Sequence, residues 1–144
     1  MRIKGIWQTC DDDVVRPVIR GQIGTANGGW FATWFLVDTG ADCTVICADD
    51  LLRLGLVPRT SETSLAGVGG TAESVSVGTQ IRLRCDDGTK VNFRADFAAC
   101  QDPESLDMSI LGRDITNHFA VIVDQPGTTV CLVGQRHRYR IETI

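Results

Sequence analysis

Apolar residues along this chain fall mainly in short runs, several alternating with polar ones and punctuated by glycine, proline and aspartate. Such a pattern specifies strands more than helices. Val14 to Ile23 is rich in β-branched residues, Gly24 to Gly29 supplies a loop, and Trp30 to Val37 is apolar enough throughout to predict a strand with no solvated face. Val75 to Arg84 alternates, Asp87-Gly88 is a hairpin turn, and Val91 to Phe97 returns as its partner. Ala48 to Leu54 breaks the rhythm: acidic residues near its start, with Gly55 and Pro58 beyond its end, predict a short helix. From there to Ser64 the chain reads as loop. Asp102-Pro103-Glu104 interrupts the sheet, and Leu106 to Leu111 leads into a second short helix near Gly112 to His118. Phe119 to Val123 and Thr129 to Val133 then form a hairpin around Pro126-Gly127. The expected chain is all-β with one or two short helices, and it shows no repeats or linkers.

Composition narrows the function classes. A chain of 144 residues with 43% apolar content is read as one domain with a sizeable core. A net charge of -4 argues against a nucleic-acid partner, which calls for a basic face. Apolar runs fall short of the roughly eighteen residues a membrane span needs. Met1 to Trp7 lacks the continuous apolar stretch of a signal peptide, so a cytoplasmic location is expected. The six cysteines, Cys10, Cys43, Cys47, Cys85, Cys100 and Cys131, then read as free thiols, and they form no Cys-x-x-Cys pair or compact Cys/His cluster. Neither a metal nor a cofactor is expected.

Candidate chemistry centres on Phe35-Leu36-Val37-Asp38-Thr39-Gly40-Ala41-Asp42, where an apolar strand delivers a carboxylate into a tight glycine-containing turn. The chain leaves that turn through Thr44-Val45-Ile46. Leu65-Ala66-Gly67-Val68-Gly69-Gly70 is a second glycine-rich stretch, and Ile110-Leu111-Gly112-Arg113-Asp114 a third motif after another apolar run. Together these resemble the retropepsins, the retrovirus-type aspartic proteases, over about Val14 to Val133. The strand that follows Phe119 makes the cellular DNA-damage-inducible type the most similar subgroup.

The resemblance implies a closed, barrel-like acid-protease fold with one lobe per chain, comprising a core of about residues 14–133 and an extension over 134–144. It implies peptide hydrolysis by paired aspartates, one activating water as general base and the other acting as general acid. One Asp-Thr-Gly is present, so the pair requires a homodimer in which Asp38 faces Asp38 of a second copy. Thr39 becomes a clamp between the two copies, and Asp42 and Arg113 an ion pair bracing the loop. Gly40, Ala41, Asp42 and Cys43 line the peptide site from below. Ala66, Gly67, Val68 and Gly69 form the flap above it. Ala41 offers no hydroxyl donor to the catalytic carboxylate, which places the expected activity in mild acid. Val130 and Leu132 are expected to bury at the two-fold interface, with the tail from Gly134 to Ile144 packed outside that sheet.

Blander readings stand beside several of these. Cys43 is either a subsite residue or a small space-filling thiol, and the flap stretch by itself would pass for a glycine-rich turn. His118 reads as a helix-end residue, and with His137 makes too sparse a set for zinc; a Cys/His nucleophile pair is not picked out either. Arg136 to Arg140 alternates as a charged sheet edge does, though the cluster also suits an acidic partner. Two functions remain open: an endopeptidase cutting extended peptides, and a catalytically silent dimeric module that only holds them.

Overall fold

A computed structural model describes residues 1–68, 70–134 and 142 of the chain. Among them lie strands β1 (Arg2–Lys4), β2 (Ile6–Thr9), β3 (Val15–Gly24), β4 (Trp30–Val37) and β5 (Val45–Ile46), then helix α1 (Ala48–Leu54). After α1 come β6 (Arg59–Gly67), β7 (Gly70–Arg84), β8 (Lys90–Ala99), β9 (Ser109–Leu111), α2 (Arg113–Thr116), β10 (Ala120–Asp124) and β11 (Thr129–Val133). Strands β3, β4, β9, β5, β8 and β7 are hydrogen-bonded in that order. Because Gly21 to Ile23 of β3 also pairs with Ile81 to Leu83 of β7, these six strands close on themselves. This is the mostly β, barrel-like acid-protease fold that the sequence led us to expect, with two short helices.

The period-two pattern explains the core. Ile19, Gly21 and Ile23 of β3, Val77, Ile81 and Leu83 of β7, and Phe97 and Ala99 of β8 are buried at every second position or nearly so. Phe35, Val37, Ile46 and Leu111 fill the space between them. Each large aliphatic or aromatic side chain so buried stabilises the fold by roughly 1.5–3 kcal/mol. Among the described residues, the ion pairs Arg2–Asp86, Arg16–Asp12, Arg59–Asp96 and Arg113–Asp42 each have at least one partner about half exposed or more. Exposed pairs contribute about 0–1 kcal/mol apiece. Apolar burial, not charge pairing, therefore holds the barrel closed.

Four elements depart from the sequence expectation. The stretch read as loop up to Ser64 is largely strand β6, which pairs antiparallel with β7 from Arg59↔Ser76 to Gly67↔Gly70, with an irregularity between Thr60 and Ser64. Its polar residues give no apolar alternation, so the partner strand rather than burial holds it extended. The N-terminal strands β1 and β2 carried no signal because each is so short. Strand β4 also has more exposure than its composition suggests: only Phe35 and Val37 are buried outright. Its outward Trp30 and Trp34 lie under cations, with the Arg82 guanidinium 3.7 Å from the Trp30 ring centroid and Arg20 5.9 Å from Trp34, while Phe31 packs against the core with Arg53 5.6 Å from its ring.

A separate three-stranded sheet, in the order β1, β11, β10, packs against the barrel. This arrangement overturns the expected two-fold interface at Val130 and Leu132. Both are buried inside their own chain, 3% and 0% exposed, because their side chains pack into the core, and β11 is the central strand with β1 along one edge and β10 along the other. Both flanking strands satisfy the ladder of β11, so it has no free edge to offer a second copy. The Trp7 indole N–H donates to the Asp124 carbonyl at 3.1 Å and links the two sheets. His118 lies two residues past α2 and meets the Phe93 ring at 5.7 Å. His137, the Arg136 to Arg140 cluster and almost all of the 134–144 tail fall outside the described residues, as does Gly69. Among the described residues, no helix is long and apolar enough to cross a membrane.

Gly5 marks the crossing from one sheet to the other. Its N–H donates to the Val130 carbonyl at 2.8 Å, and a Cβ there would lie 2.3 Å from the Val18 carbonyl oxygen. Gly5→Ala is therefore expected to force the sheets apart and cost about 1–3 kcal/mol, seen as a melting temperature lower by roughly 5 °C or more in calorimetry. Gly67→Ala, with open space around the added methyl, should move it little.

Candidate active site

Strand β4 ends by presenting Asp38, half-buried, to a turn whose bonds are made by the loop itself. The Gly40 N–H donates to Asp38 Oδ1 at 2.9 Å and the Ala41 N–H to the Asp38 carbonyl at 3.3 Å. Thr39 and Gly40 are exposed at the tip, and Ala41 is half-buried. The third motif is brought alongside by parallel pairing of β4 with β9, Val37 opposite Leu111, and the Asp38 N–H donates to the Leu111 carbonyl at 3.3 Å. One ladder thus joins two motifs that are far apart in the chain.

Past Leu111 the chain crosses directly behind the turn. The Arg113 N–H donates to the Ala41 carbonyl at 2.9 Å, and its guanidinium hydrogen-bonds the Asp42 carboxylate and reaches the Thr39 carbonyl at 3.4 Å. The expected Asp42–Arg113 pair is thus formed within the chain, although Asp42 is 84% exposed. Gly112 permits the crossing. A Cβ on it would lie 2.3 Å from the Cys43 carbonyl carbon, closer than real contacts allow.

Thr44 and Asp114 supply the second brace, and neither was assigned a role from sequence. The Thr44 side chain is fully buried; its hydroxyl donates to Asp114 Oδ1 at 2.7 Å and accepts from the Gly112 N–H at 3.1 Å. Asp114 Oδ1 also accepts from the N–H groups of Thr44 and Ile115, at 2.9 and 3.0 Å. Beneath the turn sits another unanticipated network. The buried Asp50 carboxylate accepts from Thr33 Oγ1 at 2.9 Å and Ser109 Oγ at 2.6 Å, while Ser109 Oγ accepts from the Cys47 N–H at 3.0 Å. The only sequence signal for these groups was their polarity inside apolar runs.

Cys43 is half-buried. Burial first, then the nearby Asp114 and Asp42 charges, push its thiol above the ordinary value. A thiol so shifted is a poor nucleophile at neutral pH. Strands β6 and β7 form a hairpin ending at Gly67↔Gly70. Ala66, Gly67 and Val68 are exposed there, Val68 completely, and a Cβ at Gly67 or Gly70 would touch nothing within 4 Å. The arm ends in open space. No cluster of three or more potential metal ligands occurs among the described residues.

The Thr44 brace can be tested directly. Thr44→Val keeps the shape but leaves the Gly112 N–H without its acceptor. It is expected to lower unfolding free energy by about 1–3 kcal/mol in urea titrations, whereas Thr44→Ser should lose much less.

The chain shares its fold with a retropepsin-like aspartic protease from Rickettsia conorii, at 18% identity over 92% of this chain and 90% of that one, with a TM-score of 0.55. It also matches an EIAV protease complexed with the inhibitor HBY-793, at 28% identity over 76% of this chain and 92% of that one, with a TM-score of 0.49. No curated protein matches it. The aspartyl protease family model matches residues 22–115, a stretch that holds β4, the Asp38 turn, the β6–β7 arm and the crossing at Gly112 and Arg113. The chain belongs to the aspartyl protease family.

Proposed function

We propose that this protein is an endopeptidase of the retropepsin type, in which Asp38 of two copies form one acid–base pair that hydrolyses peptide bonds in extended substrates. The observation that carries this reading is the β4–β9 ladder, which sets the Asp38-Thr39-Gly40 turn against Gly112 and Arg113. A general base must hold one position while water and peptide come to it, and a carboxylate whose turn is hydrogen-bonded from behind meets that need. Gly40 carries no side chain to obstruct a peptide backbone. Thr39, exposed at the tip, is placed to meet its twin. The 1–144 chain acts as a single such lobe, Ala41 to Cys43 lie along the floor of the peptide site, and Ala66 to Val68 close over it. The hairpin of β10 and β11 after α2 supports likeness to the DNA-damage-inducible subtype, and six free thiols suit the reducing cytoplasm.

Since β11 is enclosed, the two-fold seam is assigned to the outer edges of the three-stranded sheet. Among the described residues, no strand pairs with the outer edge of β10, where Ile122 and Val123 are exposed at 43% and 44%. Apolar residues on an unpaired edge favour pairing with another strand.

Purified protein incubated with a mixed peptide library between roughly pH 4 and 6.5, the range where a pair sharing one proton is active, should yield discrete cuts by mass spectrometry. Asp38→Asn should reduce them at least about a thousandfold with the melting temperature nearly unchanged. Peptides retained but uncut by the wild-type protein would identify a binding module instead. For the seam, Ile122→Lys should shift sedimentation toward monomer and lower cleavage in parallel. An unchanged dimer would place the interface elsewhere.

A further inference from the structure

We propose that Cys47 and Cys100 form an oxidation site, where a small peroxide converts two buried thiols into one disulfide between β5 and β8. The two residues are remote in sequence, and the sheet brings them together. Strands β5 and β8 run parallel with Val45 opposite Ala98 and Ile46 opposite Ala99, and the Cys100 N–H donates to the Ile46 carbonyl at 2.9 Å. The next position in that register sets Cys47 beside Cys100. Cys47 keeps an extended backbone, φ -70° and ψ 162°, as the residue that caps α1. Matched positions on neighbouring strands lie about 4.8 Å apart with side chains on one face, within the roughly 4.4–6.8 Å between Cα atoms that a disulfide spans.

Both side chains are buried, at 5% and 1% exposure, and both thiols are free. Burial raises both above their ordinary thiol value; the Asp50 N–H and Ser109 hydroxyl oppose this at Cys47 while the Asp50 carboxylate adds to it, and Cys47 and Asp102 add to it at Cys100. Few thiolates therefore exist at neutral pH, and the reaction should be slow there and faster in alkali. In the first step one thiolate attacks a peroxide oxygen, forming an S–O bond as the O–O bond breaks and hydroxide leaves. The second sulfur then attacks that sulfenic sulfur, forming the S–S bond as the S–O bond breaks. Two thiols and one hydrogen peroxide become one disulfide and two waters, with the sulfurs supplying both electrons.

The bond would tie the start of α1 to the segment that follows β8. That segment contributes Gln101, Asp102 and Ser105 to a cavity of about 690 Å³, whose opposite wall includes Thr60 and Glu73 of the β6–β7 arm. Oxidation would thus restrain one wall of a cleft at the base of the arm, whether or not the protein proves to be a protease.

The test treats the whole chain with hydrogen peroxide at pH 7 and 8.5, alkylates remaining thiols, and maps unreduced peptides by mass spectrometry. The expected product is a Cys47–Cys100 linked peptide that forms faster at pH 8.5 and is released by dithiothreitol. With it the melting temperature should rise by roughly 5 °C or more, because the bond closes a long loop. Cys100→Ala should abolish both the link and the rise, while Cys43→Ser keeps both; should Cys100→Ala fail to fold, Cys47→Ala takes its place. Linkage of either residue to another cysteine would overturn the proposal. So would unmodified thiols at both positions after the more exposed Cys10 and Cys43 have been oxidised.

Discussion

The structure turns on a steric constraint of one missing methyl group. At Gly112 two backbone segments approach so closely that no side chain fits between them. Three contacts that steady the Asp38 turn from behind follow from that approach: the Arg113 N–H on the Ala41 carbonyl, the guanidinium on Asp42, and the Thr44 hydroxyl held between Gly112 and Asp114. The Arg113–Asp42 charges are too exposed to fix the loop by attraction alone. Backbone contact and the buried threonine carry more of that task. The charge pair acts mainly to orient.

The barrel and this crossing depend on each other. Strand β9 is only Ser109–Leu111, yet it lies between β4 and β5 and contributes Ser109 to the buried Asp50 network. A buried carboxylate is costly unless its oxygens are satisfied. Thr33 from β4 and Ser109 from β9 donate to it, so the same bonds that settle Asp50 also fix how those strands meet α1. Closing the barrel positions the turn, and the turn's brace seals the barrel.

Much of this was legible in the sequence where local pattern and local structure coincide. The bounds of β4 and α1 match the runs Trp30 to Val37 and Ala48 to Leu54, and the Asp87-Gly88 turn joins β7 to β8. The pairing of Asp42 with Arg113 was expected from resemblance, and it forms. What stayed hidden was whatever depends on distant partners. Polar β6 is a strand only because β7 is beside it, and β1 is too short to signal itself although Ile3 is 1% exposed. The burial of Val130 and Leu132 was foreseen but assigned to the wrong neighbour, since alternation tells that a residue is covered and not by which chain. Cations over Trp30 and Trp34 likewise allow an apolar strand a wetter face than composition suggests.

The parallel ladder between β4 and β9 also imposes an order on biosynthesis. Thr39 and the guanidinium that reaches its carbonyl are separated by 74 residues. A ribosome emitting roughly 5–20 residues per second releases the Asp38 turn several seconds before its brace exists. During that interval β3 and β4 can pair as a local hairpin, but closure through β7 and insertion of β9 must wait. Contacts so distant in sequence slow folding. The nascent loop is therefore a bare carboxylate on an unfinished sheet, and the same topology that later holds it still keeps it unformed until the lobe is nearly complete.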